Sequence, residues 1–338
     1  MLKSMKRKAL SGELALIEEI RQRAGRPSGA VRLGIGDDCA ILRSPKGSDL
    51  LITTDFSLEG RHFRRDWHSA RSIGHRTLAR GLSDLAAMGG RPVAAFLSVA
   101  LPISAVRRHG WIDGFLGGFM ELANAYGTVL AGGDTSQSPS EHVLADIILL
   151  GSAPTGTALR RSGAKPGDDI YCTGSLGGAA AELAQLEKLP KRFRAATADQ
   201  NHPHLFPAPR VKAGEALRKR KLATACLDIS DGLSSDLAHL CESSGVRAEV
   251  DAAKLPLHPL ARALSEKTGL AAALHGGEDY ELLFTARAEV KMPRMLGGVA
   301  ITRIGRIVAR RKNAPLMTLI GVDGTRTALA PQGWEHLR

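Results

Sequence analysis

At 338 residues the chain exceeds the size at which one hydrophobic core usually stops growing, so two domains are expected, and 43% apolar content supplies a core for both. Four cysteines, at 39, 172, 226 and 241, show no CxxC spacing, which excludes a disulfide scaffold and a structural zinc site. Formal net charge is +12, with aromatics at 4% and basic residues scattered in short groups such as Arg64–Arg65 and Arg218–Lys221; this excludes a stacking platform for nucleic acid and favours a surface that draws in small anions.

Residues 11–24 are expected to form an amphipathic helix, and the apolar runs at 40–42, 50–53 and 93–101 strands. From Ser69 to Met88, Leu78, Leu82 and Leu85 recur at i, i+4 and i+7, the spacing of one buried helical face, before Gly89, Gly90 and Pro92 end it. A second helix over 104–125 carries Trp111, Phe115, Phe119 and Leu122 in one stripe. The run 143–150 reads as a strand. Gly151, Ser152, Ala153 and Pro154 then mark a composition break suited to a boundary between an N-terminal domain, 1–152, and a C-terminal domain, 153–338.

Beyond a loop at 160–169, strands are expected at 170–173, 224–228, 246–250, 281–285 and 300–307, and helices at 177–187, 209–219, 232–243 and 258–268. Residues 189–208, rich in proline and histidine and without a period, read as a long surface connection. The fold class is α/β of the α+β type: two mixed α/β domains, each a sheet with helices on one side. Glu13, Glu18 and Glu19 interrupt any signal-peptide core after the basic start, and nothing reaches the roughly 20 apolar residues of a membrane span. A soluble, cytoplasmic protein with neither membrane nor nucleic-acid partner is expected.

Six acidic motifs stand against the basic background, each among Gly, Ser or Thr: GIGDDCA at 34–40, TTD at 53–55, SDL at 83–85, GGDT at 132–135, DISDG at 228–232 and GGEDYE at 276–281. Hard oxygen ligands at tight turns suit Mg²⁺, which shares its remaining positions with water and substrate phosphates. No GxxxxGK[ST] occurs, and GIGDDCA lacks the last glycine of GxGxxG and precedes a strand. Phosphate then has to be held by metal, Gly-rich backbone and Arg.

Each motif alone has a local reading. Asp37 and Asp38 suit a hairpin turn, Asp55 a strand end, His62 a surface loop, and Asp84 an i, i+4 pair with Arg80. Ser230 and Asp231 suit a helix N-cap, and Glu278 with Asp279 a turn before a strand. GGDT is expected as a loop leaving the sheet after a strand at 128–131, its glycines letting backbone approach a phosphate. Six such motifs in one chain favour a shared function, with the carboxylates gathered in one cleft.

In order, LGIGDDCA, TTD, LSDLAAMGG, GGDT, RSGAKPGD, LDISDGLSSDL and GGEDYELLF resemble the blocks of the thiamine-monophosphate kinases, from about residue 11 to the end. The resemblance implies ATP-dependent phosphorylation of thiamine monophosphate with several Mg²⁺ ions and ATP as co-substrate. It implies a homodimer formed through the N-terminal sheet and a C-terminal domain that completes the site. By the same resemblance Asp38, Thr53, Thr54, Asp55, Asp84, Asp134, Asp228 and Asp231 hold metal, and Gly133, Asp134, Arg161 and Ser230 contact ATP. His62, Glu278 and Trp334 lie near the thiamine substrate. Asp55 and Asp134 then act through metals, with no general base. Gln137 departs from the basic or small residue often found there in the family. The rival readings are a selenophosphate or aminoimidazole ribonucleotide synthetase-like enzyme of the same ATP-using group, and a basic nucleic-acid-binding protein.

Overall fold

The computed structural model describes residues 13–35, 39–44 and 46–334. Helix α1 (Glu13–Ala24) leads through β1 (Val31–Leu33) and β2 (Ile41–Leu42) to β3 (Ser48–Leu58), α2 (Ala70–Ala87) and β4 (Arg91–Leu101). Then come α3 (Ile103–Arg107), α4 (Trp111–Ala125), β5 (Val129–Gln137) and β6 (Leu144–Pro154). A four-stranded sheet results, in the order β3-β6-β4-β5, antiparallel except for the β4/β5 pair.

The second half runs β7 (Asp169–Thr173), α5 (Gly178–Lys188), α6 (Val211–Lys219), β8 (Ala225–Ile229), α7 (Leu233–Ser244) and β9 (Arg247–Asp251). It continues with α8 (Pro259–Arg262), α9 (Glu266–His275), β10 (Glu281–Ala286), β11 (Met295–Leu296), β12 (Val299–Val308), β13 (Met317–Ile320) and β14 (Arg326–Ala328). These strands form a larger sheet in the order β14-β13-β9-β12-β7-β10-β8, with β11 on β12.

Helix α2 determines how the layers stack. Ser69 caps it by accepting from Ser72 N at 3.1 Å. The Leu78/Leu82/Leu85 stripe is buried as expected, but so are Ile73, Thr77, Ala79 and Ala86 on other faces, because α2 lies between the two sheets with α4 and α6 beside it. One core runs from Leu97 and Leu149 of the small sheet, through Phe115 and Phe119 of α4, to Tyr171, Cys226 and Phe284 of the large one. The other face of the large sheet, with Ile170, Leu227 and Leu283, packs on Leu237 of α7 and Leu274 of α9. The small sheet has helices on one side only and leaves Leu50, Ile52, Phe56 and Ile148 exposed on the other.

Several expected elements are redrawn. The helix expected at 104–125 divides into α3 and α4 at Gly110, whose φ of 73° is left-handed. The helix expected at 258–268 divides because Ser265 caps a new one, accepting from Thr268 N. GGDT is not a loop: β5 continues through it, pairing Gly133 with Leu97 and Asp134 with Ser98. A Cβ at residue 133 would lie 1.9 Å from Leu97 O, so glycine lets the strand pass where any other residue would collide. Strand β6 likewise runs through Gly151–Pro154, so the composition break falls inside an element. Residues 189–208 are no surface connection either, since Phe193, Leu205 and Phe206 form a buried cluster with Leu186 and His204 is buried. Among the described residues no helix is long and apolar enough to cross a membrane.

Helices α2 and α4 meet backbone to backbone: a Cβ on Gly74 would sit 1.9 Å from Phe115 O, and one on Gly118 would sit 1.9 Å from Arg71 O. Gly118→Ala is expected to cost about 1–3 kcal/mol, seen as a lower urea midpoint at unchanged slope. A wild-type midpoint would mean that the helix pair can part without penalty.

Candidate active site

Three charged residues of α2, Arg76, Arg80 and Asp84, fall on one stripe at i, i+4 and i+8, with Ser83 beside them. Because α2 is enclosed, this stripe faces other elements instead of solvent. Thr53 of β3 donates its hydroxyl to Asp84 Oδ2. Ser83 Oγ donates to Asp228 Oδ2 at 2.7 Å, joining α2 to β8 across the two halves. Asp55, two residues after Thr53 and on the same strand face, accepts from Arg80 Nη2 at 3.1 Å.

The loop before β10 brings Glu278 to this group through an unusual backbone. Glu278 has φ 67° and Tyr280 φ 50°, values that non-glycine residues seldom adopt and that cluster at functional sites. The loop is pinned by Glu278 N donating to Ser230 O at 2.7 Å and Tyr280 N to Ile229 O at 2.9 Å. A Cβ on Gly277 would lie 2.7 Å from Ser230 O, which accounts for glycine there. Arg76 Nη2 donates to Glu278 Oε1 at 2.6 Å and to His62 O at 3.0 Å. His204 Nδ1 lies 3.1 Å from Glu278 Oε2, and its Nε2 lies 3.0 Å from His68 Nε2.

These surroundings give the carboxylates different charge states. Burial pushes Asp84 up to about 7, reinforced by the negative charges of Asp228 and Asp55. Asp228 is raised for the same two kinds of reason, burial first and Asp55 next among the raising causes. For Glu278 burial also opposes ionisation, but Arg76 and the His204 hydrogen bond outweigh it and hold the carboxyl well below its ordinary range. Asp84 and Asp228 therefore face each other short of positive charge, whereas Glu278 has its counter-charge built in.

A cavity of about 370 Å³ collects most of the expected site residues. Asp55, Asp84 and Asp228 line one part, Ser230 and Asp231 the N-terminal approach to α7, and His62, Glu278 and Trp334 the remainder. Gly133 and Asp134 do not join it. They line a separate cavity of about 950 Å³ with Ile17, Ile20 and Phe96, because β5 stays in the sheet through GGDT. Thr54 alternates to the sheet face opposite Thr53 and donates to Asp146 Oδ1 at 3.3 Å. Arg161 is exposed, near enough for its charge to favour ionisation of Asp84 and Asp228. Asp38 lies outside the described residues. The single cleft expected for all the carboxylates thus holds Asp55, Asp84, Asp228 and Asp231, with Asp134 on the far face of the small sheet.

No sequence motif marks Arg76, Tyr280 or His204 as a site residue, and Arg80 is marked only as a partner of Asp84. The i, i+4, i+8 recurrence of Arg76, Arg80 and Asp84 is an available signal, since it runs opposite the Leu78/Leu82/Leu85 face. His204 gave no signal, lying in an aperiodic stretch.

Comparison with known proteins places this site in a family. AIR synthase related protein domains match the chain, the N-terminal one over residues 36–153 and the C-terminal one over 165–316. The thiamine-monophosphate kinase of Escherichia coli strain K12 is 40% identical over 331 residues, covering 96% of this chain and 98% of that one. The chain belongs to the thiamine-monophosphate kinase family. Among solved structures of the family, that from Stenotrophomonas maltophilia K279a is 37% identical, with a TM-score of 0.78 over 92% of this chain and 96% of that one. The structure of AaThiL complexed with AMPPCP and TMP is 30% identical, with a TM-score of 0.74 over 99% of this chain and 100% of the other.

Among the described residues no group of three or more His, Cys, Asp or Glu side chains is arranged to cage a metal ion. The expected cation, Mg²⁺, takes one or two carboxylates and fills its other positions with water and phosphate. The charge-deficient Asp84–Asp228 pair fits a cation of this kind. Without one, Asp84→Asn is expected to stabilise the protein by on the order of 1–3 kcal/mol at pH 8. Since the folded pKa of Asp84 is raised from 3.8 to about 7, wild-type stability falls as pH rises through that window, and the gain from the substitution grows across it. Thermal unfolding in EDTA from pH 4 to pH 8 checks this. A variant less stable than wild type throughout would show that the carboxylate is not under electrostatic stress.

Proposed function

We propose that the chain transfers the γ-phosphoryl group of ATP directly to thiamine monophosphate, giving ADP and thiamine diphosphate. The observation that carries this reading is the convergence of Asp55 and Asp84 from the first half with Asp228 from the second, in one cavity with Glu278 and Trp334. The acceptor oxygen belongs to a phosphate that is already largely anionic, so no strong general base is required. The obstacle is repulsion between the two phosphates: at an effective dielectric near 20, two unit charges about 4 Å apart interact by roughly 4 kcal/mol.

Magnesium, held by Thr53, Asp55, Asp84, Asp228 and Asp231 at the cavity, by Thr54 and Asp134 on the far face of the small sheet, and by Asp38, would supply neutralisation of that charge. Arg161 and Ser230 contact ATP in this reading, Ser230 from the approach to a helix N-terminus that favours anions. Trp334, half exposed at the mouth of the cavity, covers the cationic thiamine heterocycle by stacking and cation–π attraction. Glu278, kept ionised and paired by Arg76, and His62 lie at the same end. Residues 1–152 contribute most metal ligands, and residues 153–338 complete the ATP and substrate site. Three buried thiols and one exposed thiol, none paired, suit the reducing cytoplasm.

The exposed apolar face of the small sheet is the surface for a homodimer. Leu50, Ile52, Phe56 and Ile148 lie beside Thr54 there, and an apolar patch on a sheet face marks an interaction surface. A second copy on this face would also close over the cavity that holds Asp134.

Purified protein with Mg²⁺, ATP and thiamine monophosphate is expected to release ADP and thiamine diphosphate in equal amounts. Asp55→Ala and Asp134→Ala should keep the wild-type circular dichroism spectrum and lose nearly all turnover; near-normal rates in both at saturating Mg²⁺ would defeat the metal assignment. Incubation with γ-labelled ATP alone should leave no stoichiometric label on the denatured protein, and retained label would replace direct transfer with a phosphoenzyme. Ile52→Lys is expected to shift the chain from dimer to monomer in sedimentation equilibrium, and an unchanged mass would move the interface elsewhere.

A further inference from the structure

We infer that Arg80 holds the phosphate of the acceptor and so determines the preference for a phosphate monoester over its dephosphorylated counterpart, an inference that rests on the kinase reading above. Arg80 lies between the two ends of the cavity. Its Nη2 is 3.1 Å from Asp55 Oδ1 and its Nη1 is 3.7 Å from Glu278 Oε1. In the kinase reading Asp55 marks the metal end and Glu278 the heterocycle end. A phosphate that joins the heterocycle to the transferred group has to pass between them.

Charge and donor counts separate Arg80 from its neighbour Arg76. Arg76 is 3% exposed and engages Glu278, His62 O and His204 O, so its fork is occupied by protein and Glu278 is already neutralised. Arg80 carries the same five donors but among the described residues makes only a 3.1 Å bond to Asp55 and a 3.3 Å bond to the Tyr280 hydroxyl, and its buried Nε has no hydrogen-bond partner among them. Both terminal nitrogens therefore keep a hydrogen for another acceptor. A cation on Asp55 would take away the nearest anion Arg80 has, leaving a planar guanidinium short of negative charge, the arrangement that suits bidentate phosphate recognition. Arg61 also lines the cavity but is exposed, whereas the Arg80 side chain is only 16% accessible.

Isothermal titration of thiamine monophosphate and of thiamine into wild type, Arg80→Met and Arg80→Lys, with Mg²⁺ and without nucleotide, tests this together with steady-state KM for both substrates. Arg80→Met is expected to weaken thiamine monophosphate binding about 10- to 100-fold, with thiamine affinity and KM for ATP within about twofold of wild type. Arg80→Lys, which keeps the charge without the fork, should fall between. If Arg80→Met does not fold, the lysine variant alone carries the test. Equal weakening of both ligands would make Arg80 a structural clip, a change confined to KM for ATP would assign it to the nucleotide, and unchanged discrimination would remove it from recognition; each overturns the inference. Wild-type protein that makes no thiamine diphosphate would instead overturn the kinase reading, and turnover with unaltered discrimination in Arg80→Met would overturn the role of Arg80 alone.

Discussion

Close approach of α2 to α4, backbone against backbone at Gly74 and Gly118, sets the position of everything that faces the cavity. With one side of α2 drawn onto α4, its Arg76–Arg80–Asp84 stripe turns toward β3, β8 and the loop before β10. Two of those three lie in the other half of the chain. The hydrogen bond from Ser83 to Asp228 and the ion pair from Arg76 to Glu278 then cross between halves. A helix displaced by the width of a methyl group would lengthen both crossings, whose contacts are 2.7 Å and 2.6 Å.

The same packing produces the electrostatic contrast within the site. Asp84 and Asp228 are buried close enough to oppose each other's ionisation, a cost that natural proteins accept at functional sites. Glu278 is buried as well, but its charge is matched from Arg76 and His204. The two environments divide the cavity into an end short of positive charge, suited to divalent cations, and an end whose carboxylate is already paired with Arg76.

Much of this was legible in the residues. The 78/82/85 leucine spacing located α2, Ser69 its start and Gly89 its end; the acidic motifs gave Asp55, Asp84, Asp228 and Glu278, which share one cavity. What stayed hidden depends on contacts between elements distant in sequence. Nothing local shows that the strand at 128–131 continues through two glycines, since the cause is the close passage of Leu97 O. Nothing local shows that residues 189–208 turn inward, since the pull comes from Leu186 and from Glu182, which accepts from the backbone of His204 at 2.7 Å. Arg80 looked like a surface partner for Asp84 because helical spacing cannot reveal that a helix is covered on all sides.

The continuous core also bears on how the chain could be dissected. Tyr171, Cys226, Leu282 and Phe284 of the large sheet lie in the same apolar cluster as Leu78, Leu82 and Phe119, so a fragment beginning near residue 153 would present that face to water. The two sheets are separate in hydrogen bonding yet share their interior, which makes them partners in one cooperative unfolding event and not beads on a string.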